Sequence, residues 1–144
     1  MVDAVDTFPA DLHYSIEHQV WARLDADGLA TVGITSLGIR QSGEIYMCRP
    51  KSVGSVLEQG RSVGVVELAK SVVSVKSPLH GEVVEVNPLL EEQPEWVHRD
   101  PYGRGWLVRV RPTALDTDLP ALLHGEAVPA AMAHHAWLSR LDGE

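Results

Sequence analysis

The sequence predicts a mainly β fold with short helices and a C-terminal helical extension. Three observations point there. Short runs rich in Val, Ile and Thr recur at close spacing, in the pattern of strands. Gly and Pro, 12 and 9 in number, fall between those runs and break the chain into many short pieces. After Arg111-Pro112 the composition turns Ala- and Leu-rich, which suits helix better than strand. Short strands with frequent punctuation close into a barrel or a sandwich.

The elements follow in order. Residues 1–12 read as a flexible lead-in. Residues 20–24 and 29–35 alternate apolar and polar positions, and Asp25-Ala26-Asp27-Gly28 between them supplies turn chemistry, so a hairpin is expected. Residues 35–40 read as a short helix or loop and 43–48 as a strand. Pro50-Lys51-Ser52-Val53-Gly54 reads as a turn, because proline and glycine interrupt a ladder. A short segment at 56–60 leads to a second hairpin, 62–68 with 72–76. Ser77-Pro78-Leu79-His80-Gly81 turns the chain into a strand at 82–86. Residues 88–96 have helical character, 100–105 form a rigid loop, and 106–110 form the next strand. Residues 115–127 and 129–141 read as helical. Pro129 suits a first helical position, and Met132, Ala133, Ala136, Trp137, Arg140 and Leu141 share one face. The implied division is 1–12 lead-in, 13–112 β domain, and 113–144 helical extension packed on it.

Composition narrows the function classes. A chain of 144 residues fits one domain that removes roughly two-thirds of its unfolded surface from water. A formal net charge of -8 disfavours nucleic acid and anionic membranes. The single cysteine, Cys48, excludes an internal disulfide, and its apolar surroundings predict a buried, inert thiol. The acidic start Met1-Val2-Asp3-Ala4-Val5-Asp6 lacks a secretory or transit pattern, and no apolar run nears the roughly 20 residues that span a bilayer. A cytoplasmic, monomeric protein is expected.

Lys70 is the most informative residue. It stands in Val65-Val66-Glu67-Leu68-Ala69-Lys70-Ser71-Val72-Val73, where strand-like runs flank a short interruption, so the lysine falls at a hairpin tip. The turn lacks Gly and Asn, which leaves its type open. Only Lys51 and Lys76 accompany it as lysines. No nucleophile–base pattern, phosphate loop or paired carboxylate site stands out, and no catalytic residue is assigned. His134 and His135 are adjacent and diverge on a helix, so they make no metal site. His18 and His80 are candidates for a surface beside the lysine, or structural histidines. Trp96, Tyr102 and Trp106 read as packing groups that anchor the 100–105 loop.

Five segments in order resemble the glycine-cleavage H protein family of lipoyl carriers. They are Tyr14-Ser15-Ile16-Glu17-His18, Ala30-Thr31-Val32-Gly33-Ile34-Thr35, Gly64-Val65-Val66-Glu67-Leu68-Ala69-Lys70, the run from Ser77 through Asn87, and Asp100-Pro101-Tyr102-Gly103-Arg104-Gly105-Trp106-Leu107. The resemblance implies a flattened β-barrel, or barrel-sandwich hybrid, with lipoic acid in amide linkage to Lys70. It implies that Glu67, three residues earlier, is read by the lipoate-attaching ligase or transferase; a solvated strand-end charge is the plain alternative. Such a protein is a carrier in a multienzyme system and not itself an enzyme. A biotin carrier would place methionines beside the lysine, and a 2-oxoacid dehydrogenase lipoyl domain an Asp before it. Here the neighbours are Ala69 and Ser71.

Two stretches depart from the family pattern: Ser71-Val72-Val73-Ser74-Val75-Lys76-Ser77-Pro78, and the run from Tyr46 through Gly54. Arg49, Lys51 and Lys76 add basic charge there. The first stretch is similar to a branch of lipoate-binding proteins that serve the bacterial heterodisulfide-reductase-like sulfur-oxidation complex. On that resemblance the cargo is a sulfur intermediate. The alternative is the glycine-cleavage carrier, whose partners are the glycine-cleavage enzymes and whose cargo is an aminomethyl group. An unmodified interaction domain is the third reading.

Overall fold

A computed structural model describes residues 6–142. Among the described residues, ten strands form two sheets. They are β1 (His13–Ser15), β2 (Val20–Leu24), β3 (Ala30–Ile34), β4 (Met47–Pro50), β5 (Val56–Leu57), β6 (Ser62–Glu67), β7 (Val72–Lys76), β8 (Gly81–Val86), β9 (Val108–Pro112) and β10 (Leu123–His124). The larger sheet runs β10-β1-β2-β3-β9-β8-β5 and the smaller β4-β6-β7, with every pairing antiparallel. Helices are α1 (Ser36–Ser42), α2 (Leu89–Glu92), α3 (Trp96–Arg99), α4 (Leu115–Asp118) and α5 (Val128–Asp142). This is the mainly β fold with a C-terminal helix that the sequence predicts.

The main core lies between the sheets. Val20, Val32, Val83, Val108 and Val110 of the large sheet meet Val63, Val66 and Val75 of the small one. A second apolar layer covers the other side of β2: Trp21 and Tyr14 pack with Leu37 of α1 and with Val128, Met132 and Ala136 of α5. Those three α5 residues are spaced by four, so they form one stripe. The alternation predicted for the first hairpin therefore gives way to burial on both faces: all five residues of β3 are buried. Gly33 is dictated by this packing, since a Cβ there would lie 2.5 Å from the Trp21 ring.

Several boundaries differ from the sequence reading. The strand placed at 43–48 begins at Met47 and absorbs Pro50, which was expected in a turn. Proline is tolerated because β4 is an edge strand, and Gly64 opposite it accommodates the approach; a Cβ on Gly64 would lie 2.7 Å from the Pro50 Cα. The 88–96 helix is two single turns, broken at Gln93-Pro94 because proline disfavours helical geometry in the residue before it. Residues 115–127 are not one continuous helix: only α4 at their start is α-helical. Pro120 and Gly125 (φ 78°) interrupt them, and β10 inside that stretch pairs with β1. Of the lead-in, residues 1–5 lie outside the described residues. The rest is tied down, with Leu12 buried and Thr7 N–H donating to Ser36 Oγ at 3.1 Å. On α5, Met132 and Ala136 are buried as expected but Trp137 is exposed, and the Leu141 side chain lies outside the described residues.

Candidate functional site

The second hairpin builds the site. β6 and β7 pair from Ser62↔Lys76 to Glu67↔Val72, and Leu68 N–H donates to Ser71 O at 2.8 Å. Ala69 and Lys70 therefore form the tip. Neither has a positive φ, so the turn is not one of the primed types. Ala69, Lys70, Ser71, Val72 and Val73 are all exposed. Among the described residues the Lys70 ammonium has no hydrogen bond or ion pair. A primary amine on a rigid two-stranded arm, free of partners, is accessible to an acylating enzyme.

Glu67 stands on the outer face of the same sheet, in a cross-strand row with Met47 and Val72. Arg49 Nε donates to its Oε2 at 2.8 Å, with the two side chains 59% and 34% exposed. Glu67 is thus a paired charge at a strand end. Sequence reasoning noted Arg49 only as a basic departure; the pair appears once the β4–β6 register is known.

Beneath the tip lies an open cleft of about 300 Å³. Val66, Leu68, Val73, Ser74 and Val75 of the hairpin form one wall, and Gln19, Val20, Ile34, Gly38, Gln41 and His135 contribute to the others. Its floor is built by an unusual turn. Gln19 takes φ 55°, its Oε1 accepts from Thr35 Oγ1 at 2.6 Å, and its Nε2 donates to Ile16 O at 2.7 Å. Thr35 in turn caps α1, accepting from Gly38 N at 3.0 Å. Ser74 pairs with Val65 on the outer face of the hairpin, the face that carries Arg49 and Glu67, and its Oγ is buried with no hydrogen-bond partner among the described residues. Nothing in the sequence marks Ser74, because its placement depends on the β6–β7 register.

The other candidates separate. His18 lines the cleft with Glu17, whose Oε1 is 4.0 Å from His18 Nε2. His80 does not: its backbone N–H and ring Nδ1 engage the buried Asp118 carboxylate, the ring contact at 2.8 Å. His134 is exposed and stacks on Trp137, whereas His135 faces the cleft, where burial lowers its pKa. Among the described residues no group of three or more His, Cys, Asp and Glu side chains is arranged for a metal. Cys48 is 5% exposed, and burial pushes its thiol up to about 12, so it is unreactive near neutrality.

Of the three aromatic residues expected to anchor the 100–105 loop, Trp96 packs on the main core and Tyr102 and Trp106 pack on the second apolar layer. Tyr102 OH donates to Thr7 O at 2.5 Å and accepts from Ser36 N at 3.0 Å, while its ring tilts against Trp21 at 5.8 Å. Asp100 closes the loop, its carbonyl accepting from Gly103 and Gly105 and its carboxylate from Arg104 N. Trp21 Nε1 donates to Ile34 O and Pro101 O at 3.1 and 3.2 Å, which ties the loop to the core. No helix among the described residues is long and apolar enough to cross a membrane.

Known proteins are similar to this chain. The family described as "Glycine cleavage H-protein" matches residues 12–135. The glycine cleavage system H protein 3 of Aquifex aeolicus is 40% identical over 130 residues, spanning 88% of this chain and 81% of its own. The glycine cleavage system H protein of Marinobacter nauticus is 42% identical over 127 residues, spanning 88% of this chain and 93% of its own. The crystal structure of a glycine cleavage system H protein from Mycobacterium marinum superposes with a TM-score of 0.75 at 31% identity, covering 88% of this chain and 98% of that one. The breadth of the match, the shared fold and the hairpin motif agree: the chain belongs to the glycine cleavage H-protein family.

Proposed function

We propose that this chain is the lipoyl carrier of a glycine-cleavage system, with lipoic acid in amide linkage to Lys70. The observation that carries this reading is the exposed Lys70, unpartnered among the described residues, at the tip of the β6–β7 hairpin whose strands wall the cleft. The names of the relatives back the glycine-cleavage reading better than the sulfur-oxidation one, which rests on the 71–78 stretch alone. Its partners are then a lipoate-attaching ligase or transferase and the glycine-cleavage enzymes, and the carrier itself catalyses nothing.

The residues present fit a lipoyl group. Lys70 supplies an amine that no carboxylate competes for. The cleft beside the hairpin is walled by Val66, Leu68, Val73 and Val75, which suit a hydrocarbon chain. Glu17 and His18 place a carboxylate and an imidazole where a cargo amine or thiol would face them. Bound lipoate would supply a strained dithiolane that accepts a group or two electrons by thiol chemistry. Lys70 fixes where that arm starts, and the rigid hairpin presents it to each enzyme at high effective concentration. Glu67, beside the tip, is assigned to recognition by the attaching enzyme.

Peptide mass mapping after co-expression with a lipoate ligase tests the attachment. The peptide containing Lys70 gains one lipoyl mass, and Lys70→Arg abolishes the gain. A gain at Lys51 or Lys76 instead, or none at any lysine, overturns the assignment and leaves the unmodified interaction domain.

A further inference from the structure

Most arginines of this acidic chain are spent on carboxylates. Arg23, Arg49, Arg61, Arg109 and Arg111 each pair with an Asp or Glu at 3.7 Å or less. Arg99 and Arg104 are different. Both guanidiniums lie over the Trp96 ring, with their Cζ atoms 4.8 and 5.0 Å from its centroid, and both are exposed. Neither has a carboxylate partner among the described residues, although Glu95 is next to Trp96 in the chain.

The arrangement is held rigidly. Trp96 packs on the main core and its Nε1 donates to Gln93 Oε1 at 3.0 Å. Arg99 ends α3, and the backbone N–H of Arg104 is pinned by the Asp100 carboxylate at 2.9 Å. Gly105 must be glycine, because a Cβ there would run into the Trp96 carbonyl. Stacking on an indole occupies the face of a guanidinium and leaves its N–H edge free for a bidentate carboxylate. With the side chains already placed, little rotamer freedom remains to be lost on binding.

We infer that Arg99 and Arg104, clamped on Trp96, form a docking point for the carboxylates of an acidic partner protein. Charge complementarity selects that occupant. At a net charge of -8 the rest of the chain repels an acidic surface, so two adjacent free guanidiniums mark where one makes contact. Trp and Arg are also the residue types most enriched at interface hot spots. The surface uses neither Lys70 nor the cleft, so it stands or falls apart from the lipoyl reading.

NMR titration of the full chain with an oligoglutamate peptide tests it. The Trp96 indole N–H and the Arg99 and Arg104 Nε–H signals shift together and return as salt is raised. Arg99→Gln with Arg104→Gln weakens the peptide by about tenfold or more. Arg99→Lys with Arg104→Lys keeps the charge, loses the fork and stack, and binds between the two. Shifts centred on Lys51 or Lys76, or no shift at low salt, overturn the proposal. So does inorganic phosphate moving the same signals at equal concentration, which would make the clamp a small-anion site.

Discussion

Arg49 Nε lies 2.8 Å from Glu67 Oε2, across the sheet that carries Lys70 at its tip. Both side chains are well exposed, so the pair stabilises the fold by at most about 1 kcal/mol. Glu67→Gln and Arg49→Gln are therefore expected to leave the melting temperature nearly unchanged. If the attaching enzyme reads the Glu67 carboxylate, only Glu67→Gln slows lipoylation of Lys70. Equal slowing by both variants would assign the effect to the ion pair.

Ser74 Oγ is a buried hydroxyl without a partner among the described residues. An unsatisfied buried polar group costs the fold, so Ser74→Ala should raise the stability of the unmodified chain by about 1 kcal/mol. The gain should be the same in the lipoylated chain, because Ser74 lies on the hairpin face turned away from the cleft. Denaturant melts of the two forms measure it.

Gly33 lies against the Trp21 indole, with a Cβ at this position 2.5 to 2.8 Å from three ring atoms. Trp21 is fully buried and holds Ile34 O and Pro101 O, so it has little room to yield. Gly33→Ala is expected to destabilise the chain by about 1–3 kcal/mol, or more if the tryptophan moves. Calorimetry would show it, and an unchanged melt would contradict this packing.

His13 and His124 stack across β1 and β10, with ring centroids 4.2 Å apart. Burial and then the neighbouring His124 hold the His13 pKa below its ordinary 6.5. The folded chain thus binds fewer protons than the unfolded one in that range. The contribution is full above 6.5 and is lost as pH falls through that value towards the folded pKa. His13→Gln should flatten this part of the stability profile, and an equally steep profile would place the titration elsewhere.

Local pattern carried the fold class, because β-branched runs and turn residues act over a few neighbours. Lys70 was legible for the same reason: two runs and a short interruption define a hairpin tip. Burial on both faces of β2 and β3 was not, since it depends on α5 returning over Trp21 from more than a hundred residues away. The Arg49–Glu67 pair and the orphaned Ser74 were equally hidden, for each is set by strand register. The short strand β10 hid among Ala and Leu residues that favour helix, and pairing with β1 overrode that preference.

The most direct measurement is glycine decarboxylation reconstituted with the other glycine-cleavage proteins, using chain whose Lys70 lipoylation has been verified by intact mass. Turnover comparable to that of a known H protein, lost in Lys70→Arg, is the predicted result. No turnover from the lipoylated chain, with the known H protein active alongside, would contradict the glycine-cleavage assignment and return the sulfur-oxidation partners as the next to test.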